Sequence, residues 1–311
     1  MSKILKRQDL LNPNMYCLLL TVDDHNSINN QRLNQTNEFQ SRNYITESIR
    51  CITAWRKRGG YLADIRIIVD YIGQSELSKE VLKFYSKNDI VLVHSRDKYM
   101  DFLKDYDYGF VGVHLTGYHL YNTEITKPII IHIDLDMELL QPIPPKFFEP
   151  LLTKECIIGG YRDEDLPSQR TPLFNNSILN SDLVVTKNKE YTNISMYGKF
   201  LSNISIINSN YETYQLPSNK EYRLFDIEEY GVDKTFSEHP ELFHVVKEDS
   251  YEQGEGYFEA TNIDLSKVYF WHEHILDKPN EYFTLQKLKL TMAIKKHQRE
   301  MGWKIGPLDE I

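Results

Sequence analysis

An α/β fold, with a mixed but mainly parallel sheet and helices on both faces, is what this chain predicts, and two observations carry that expectation. Short apolar runs alternate with stretches of helical periodicity through the first half. Strands joined by helices in this way form βαβ units, whose parallel strands pair in one sheet. Acidic residues follow the ends of those runs, at Asp23, Asp70, and Asp134 with Asp136, and open sheets of this class bind ligands beyond the carboxyl ends of their strands.

The elements follow in order. Residues 16–22 (YCLLLTV) form the first apolar run and end on Asp23-Asp24. Ile45, Ile49, Ile52 and Trp55 fall at helical spacing within 42–58, and Gly59-Gly60 stops that helix. A buried-type strand is expected at 65–70, a helix at 77–87 and a strand at 90–94. After a Tyr- and Asp-rich helical stretch, 129–133 (IIIHI) is the clearest strand of the chain. The second half is less regular. Strands are expected at 156–161, 178–185, 204–207, 243–247, 256–260 and 268–272, with a polar loop over 162–175 and a last helix over 282–301. This mixture reads as a second layer built onto the same sheet.

Composition narrows the function. With 41% hydrophobic and 26% charged residues in 311, the chain has an ordinary globular make-up and is not a disordered one. Lys and Arg number 36 against 45 Asp and Glu, a net charge of −9. That balance argues against nucleic-acid partners and broad anionic surfaces, which need excess cationic charge. It leaves nucleotide binding open, because a bound metal ion can supply the positive charge locally. Cys17, Cys51 and Cys156 match no zinc or redox spacing, so a reducing interior is expected. No apolar run reaches the ~18–20 residues of a membrane span, and the N-terminus reads as neither signal peptide nor anchor. The expected location is cytoplasmic, with no integral membrane segment.

The chemistry concentrates at one Asp-X-Asp pair. The chain has three, Asp105/Asp107, Asp134/Asp136 and Asp163/Asp165, where 21 aspartates make about one or two by chance. Only Asp134/Asp136 follows a continuous apolar strand, in IIIHIDLDMELLQPIP. Carboxylates spaced i, i+2 fall on one side of an extended chain, where they can share a hard divalent ion that keeps free positions for phosphate oxygens. The competing reading is that Asp134 caps the next turn while Asp136 is solvated.

A strand ending in D-X-D within a Rossmann-like half resembles the GT-A fold of nucleotide-sugar glycosyltransferases, and specifically the glycogenin-like retaining family. The resemblance implies that the pair binds Mn²⁺ or Mg²⁺ against a sugar-nucleotide diphosphate. That family carries a late H-F-X-G-X-X-K-P-W segment, in which the His is a metal ligand and the Lys meets the phosphates. Here 268–279 reads VYFWHEHILDKP, with His272 six positions before Lys278 and Pro279 next. Glu273, Ile275 and Asn280 depart from the pattern, and the alternative is that His272 or His274 is a hydrogen-bonded core histidine.

Two further segments match more loosely. FNNSIL, residues 174–179, resembles the family's F-N-S-G-V stretch, which puts Asn176 or Asn175 against the donor sugar. IEEYGVDKTF, residues 227–236, resembles a D-Q-D-X-X-N-X-X-F helix start. On that register Glu228 falls on the acidic residue facing the anomeric carbon, Glu229 on the Gln, Asp233 on the Asn and Phe236 on a core aromatic. Acidic residues are also favoured at any helix start by the macrodipole, which is the plainer account of Glu228 and Glu229. The family's Lys upstream of D-X-D has no counterpart, Tyr118 standing at that offset.

Taken together, the resemblance implies a single GT-A-like catalytic domain over 1–311. Residues 14–136 would be its nucleotide-binding half, 137–280 its acceptor and metal half, and 281–311 a C-terminal helix and tail. The expected activity is metal-dependent transfer of a hexose from a UDP-sugar to a hydroxyl on a protein or glycan acceptor, with retention of configuration. Asp134, Asp136 and His272 would hold the metal. Thr21, Val22 and Asp23 would hold the uridine, with Asp97 a second candidate for the base, and Lys278 would meet the phosphates. Glu228 or Glu229 would stabilise the developing oxocarbenium face or orient the acceptor. Two rivals stand beside this: a metal-dependent phosphohydrolase or nucleotidyltransferase using the same carboxylates, and a non-catalytic binding protein of the same fold. The basic amphipathic stretch over 282–301 suits a peripheral membrane or partner contact as well as packing on its own domain. Open sheets of this class often pair, which admits a homodimer.

Overall fold

The structure is a computed structural model that describes residues 2–22, 44–73, 75–94, 125–135, 137–160, 179–210, 212–213, 230–246, 251–253 and 269–272. Its first strand, β1 (Tyr16–Val22), is buried along its whole length, as a continuous apolar run requires of a central strand. Helix α1 (Tyr44–Arg58) leads to β2 (Arg66–Tyr71), and α2 (Lys79–Lys87) to β3 (Ile90–Val93). Gly60, at φ 57°, supplies the left-handed turn just beyond α1. Ser78 caps α2 by accepting from the Val81 amide. The strand β4 (Ile129–Ile133) is wholly buried, and the short strand β5 (Met137–Leu139) follows it.

Beyond β5 the chain forms β6 (Cys156–Gly160), β7 (Leu179–Lys187), α3 (Met196–Ser209), a helix α4 over 230–238, β8 (Phe243–Val246), β9 (Tyr251–Gln253) and β10 (Phe270–His272). Seven strands make the main sheet in the order β3-β2-β1-β4-β7-β6-β8. The pairs β1–β2, β2–β3, β1–β4 and β6–β8 are parallel, while β4–β7 and β6–β7 are antiparallel. A small second sheet has the order β5-β10-β9.

Alternation along β1 divides the interior into two cores. Leu18, Leu20 and Val22 join Cys51, Ile52 and Trp55 of α1 in one cluster. Cys17 and Leu19 join Phe200, Ile204 and Ile207 of α3, with Tyr230 and Val232 of α4, in the other. Successive side chains of a strand point to opposite faces, so one run of seven residues feeds both layers. Each buried Leu or Ile contributes about 1.5–3 kcal/mol, which makes this central strand the main organiser of the sheet.

The expected strand at 204–207 is a correction: those residues are the interior of α3. Met196, Tyr197, Phe200, Ile204 and Ile207 are all buried in that helix, at spacings of three and four, so burial of a helical stripe overrides the β-branched preference of the Ile-rich run. Ser195 caps the helix by accepting from the Gly198 amide. The strands β5 and β9 are additions that no apolar run announced. The expected helix at 282–301, the loop at 162–175 and the strand at 256–260 lie outside the described residues. Among the described residues, no helix is long and apolar enough to cross a membrane.

Candidate active site at the strand ends

Four parallel strands deliver their carboxyl ends to one edge of the main sheet. Thr21 of β1 pairs in register with Asp70 of β2, and Asp70 with Val93 of β3. On the other side, Leu19 pairs with His132 of β4. Carrying that offset forward two residues sets Asp134 level with Thr21 on the neighbouring strand, and neighbouring strands lie about 4.8 Å apart. Thr21, Val22, Asp70 and Asp134 thus share the edge where the topology of a doubly wound sheet gathers its ligands.

The burial of these groups is informative. Thr21 is 4% exposed, and its Oγ1 has no hydrogen-bond partner among the described residues. A buried hydroxyl without a partner costs about 1–3 kcal/mol, so such an atom at a strand end suits a ligand contact. Asp70 is fully buried beside it, whereas Asp134 is half-buried. Beyond β2, the Tyr71 hydroxyl donates to the Ser75 carbonyl and the Tyr71 ring meets His94 edge-on at 5.8 Å. A side chain at Gly73 would run into that hydroxyl, which explains the glycine.

The Asp-X-Asp turn is tied to the late histidine by strand pairing. The Met137 amide donates to the Asp134 carbonyl at 3.1 Å, which closes the turn after β4. Met137 then stands opposite His272 in the antiparallel pair of β5 and β10. Residues separated by more than a third of the chain are therefore neighbours, and the sequence position next to Met137 is Asp136. Carboxylates with an imidazole are a donor set suited to Mn²⁺ or Mg²⁺, and the strand pairing sets the His272 backbone beside the turn that Asp134 opens.

Thr21, Val22, Asp134 and the backbone of His272 are described. Asp23, Asp97, Asp136, Asn176, Glu228, Glu229 and Lys278 lie outside the described residues, as do Asn175 and His274. Phe236 packs against Phe243 at 5.3 Å in the second core, and Asp233 is buried on α4. Among the described residues no cluster of three His, Cys, Asp or Glu could hold a metal ion. Burial pushes the Cys17 thiol up to about 12 and Cys156 well above its ordinary value, which disfavours the thiolate at both. Arg58 escaped the sequence reading. It is a basic residue in the last turn of a helix, an ordinary charge at that place, and no pattern marked it as buried.

The backbone is similar to that of two solved transferases. One is mouse xyloside xylosyltransferase 1, with a TM-score of 0.51 and 15% identity over 85% of this chain and 99% of that one. The other is the galactosyltransferase LgtC, solved with donor and acceptor sugar analogues, with a TM-score of 0.52 and 10% identity over 90% of this chain and 95% of that one. No protein-family model and no curated protein sequence matches the chain. These likenesses show the fold: a Rossmann-like sheet of the GT-A type found in nucleotide-sugar glycosyltransferases.

Proposed function

We propose that the protein is a glycosyltransferase that moves a hexose from a UDP-sugar to a hydroxyl of a protein or glycan acceptor, with retention at the anomeric carbon and with Mn²⁺ or Mg²⁺ as cofactor. The observation that carries this reading is the pairing of Met137 with His272, which joins the Asp-X-Asp turn to the late histidine on a GT-A-type sheet. Asp134, Asp136 and His272 hold the ion, and Thr21, Val22 and Asp23 hold the uridine, with Asp97 a second contact to the base. A bound divalent ion supplies positive charge to the diphosphate. Lys278 pairs with the phosphate oxygens, and Asn176 donates to a sugar hydroxyl. The bond from the anomeric carbon to the diphosphate oxygen breaks, the acceptor oxygen bonds to that carbon on the same face, and its proton passes to the departing UDP. Glu228 or Glu229 stabilises the positive charge that develops at the anomeric carbon or orients the acceptor hydroxyl.

UDP release from a panel that includes UDP-glucose, UDP-galactose and UDP-xylose, with and without Mn²⁺ and without acceptor, tests the reading. The expected result is slow, metal-dependent release from one donor, abolished in Asp136→Asn and in His272→Ala while the circular dichroism spectrum is unchanged. Changes at Asp105 or Asp163 leave it near wild type. Full release by both site variants removes the ligand set. Absence of release from every donor, with no Mn²⁺-dependent UDP binding by calorimetry, leaves a binding protein of this fold. The anomeric configuration of the first product, read by proton NMR, decides between retention and inversion.

A further inference from the structure

Arg58 ends α1 with its guanidinium inside the protein, only 7% exposed. Its Nη1 donates to the Leu139 carbonyl of β5 at 3.0 Å, across 81 residues of sequence. The strand geometry explains why that carbonyl needs a donor. The Leu140 amide donates to the Tyr269 carbonyl at 2.9 Å, and Leu139 stands opposite Phe270. Hydrogen-bonded and non-hydrogen-bonded pairs alternate along an antiparallel ladder, so Leu139 and Phe270 form a non-hydrogen-bonded pair. The Leu139 carbonyl therefore faces away from β10. β5 is the edge of its sheet, so among the described residues no strand meets the carbonyl on that side.

The same helical turn also holds β10. The Trp55 ring packs against Phe270 at 6.3 Å, and both residues are fully buried. One residue pair along the ladder from Leu139 and Phe270 comes Glu138 with Trp271, and the next is Met137 with His272. By the same alternation that pair is non-hydrogen-bonded, the closer of the two kinds at about 4.5 Å between Cα atoms. Burying a guanidinium is costly unless its donors are used. Exposed Lys57 beside it carries the ordinary helix-end charge without that cost.

We propose that Arg58 is a positioning residue for the metal site, the tie that fixes the edge strand β5 and hence the register in which the Asp-X-Asp turn meets His272. This rests on the proposed function, since it assigns the tie to the ion that those residues would hold. Arg56 provides the control. It donates to the carbonyls of Ala63, Ile65 and Asn88, pinning α1 to the start of β2 and the end of α2, and makes no tie to β5.

The experiment titrates Mn²⁺ into the full chain with UDP present, following free Mn²⁺ by electron paramagnetic resonance, with thermal midpoints measured in parallel. Arg58→Met should weaken Mn²⁺ binding by about tenfold or more, the range for groups that orient metal ligands from behind. Arg58→Lys should recover part of the loss, because an ammonium can still donate to one carbonyl. Arg56→Met should lower the midpoint at least as much while holding Mn²⁺ as the wild type does. Wild-type affinity in Arg58→Met, or parallel weakening in Arg56→Met, overturns the positioning role. If Arg58→Met does not fold, Arg58→Lys decides: weaker Mn²⁺ binding in a folded protein sustains the role, and wild-type affinity overturns it. A wild-type chain that takes up no Mn²⁺ with UDP strikes down the proposed function and this role with it. Normal uptake by the wild type and by both Arg58 variants removes the role alone.

Discussion

Thr21 places two demands on one hydroxyl. Its Oγ1 is buried and unpartnered among the described residues, so in the free protein it costs stability, while at the strand end it is available to a ligand. Thr21→Val keeps the shape and removes the orphan. The expected outcome is an unfolding free energy raised by about 1 kcal/mol, read from the urea midpoint, together with weaker UDP binding by calorimetry. Unchanged UDP affinity would take Thr21 out of the donor site, and a loss of stability would mean that the hydroxyl has a partner in the folded chain. At this scale the sequence was partly legible. Asp134 stands out because the apolar run 129–133 ends at it, whereas Thr21 lies inside its run and is reached through the family resemblance. Arg58 does not stand out, since its role depends on a carbonyl 81 residues away that is exposed by the alternation of a ladder.

The helices α3 and α4 show what periodicity misses and what it catches. The Ile-rich stretch at 204–207 reads as a strand when taken alone, yet its buried positions fall on one stripe of a helix that starts at a serine cap. In the other direction, the helix expected after Glu228 and Glu229 is present as α4, because its apolar residues at Tyr230 and Val232 meet the α3 stripe in the second core. The two helices are locked by a polar bond as well. Asn203 of α3 donates from Nδ2 to Thr235 Oγ1 at 2.9 Å and to Glu238 Oε2 at 3.1 Å, and Thr235 donates to the Gly231 carbonyl. A side chain at Gly231 would collide with Ile204, so the helices approach closely at that point. Asn203→Ala should cost about 1–3 kcal/mol, the usual range for removing one partner of a buried hydrogen bond. The urea midpoint checks it; a shift within error would mean that apolar packing alone holds α4. The hydrogen bond from Lys234, followed by that from Asn203, holds the Glu238 carboxyl below the usual carboxylate range. A depressed carboxylate contributes stability above its unfolded value and loses it as pH falls through the folded one, so this lock weakens only in acid. Among the strands, β5 and β9 were illegible because three residues are too few to establish a period, whereas the equally short β10 was marked by the apolar run VYFW around it.

On the scale of the whole molecule, strand pairing gathers segments far apart in sequence, and that arrangement makes a thermodynamic prediction. The candidate nucleotide contacts come from the end of β1, while the candidate ligands come from the turn after β4 and from β10. These three places in the sequence are far apart in an unfolded chain, so under the proposed function a nucleotide and its ion would bind the native state alone and stabilise it by mass action. At one hundred times the dissociation constant the gain is about 2.7 kcal/mol, which for a chain of this size raises the thermal midpoint on the order of 5 °C. The diphosphate carries negative charge into a protein whose net charge is −9, so UDP without a cation should bind poorly. In the proposed site Mn²⁺ alone would meet two carboxylates and an imidazole with positions left open, and should bind weakly as well. UDP and Mn²⁺ added together should therefore raise the midpoint by more than the sum of their separate effects, and EDTA should reverse the rise. In Asp136→Asn the excess over the sum should vanish while any UDP-only effect remains, since the candidate uridine contacts Thr21 and Val22 sit on β1. A full rise with UDP alone that is insensitive to EDTA would eliminate the ion from the site. No rise under any of these conditions would remove nucleotide binding itself and leave the GT-A-type sheet as a scaffold for another ligand.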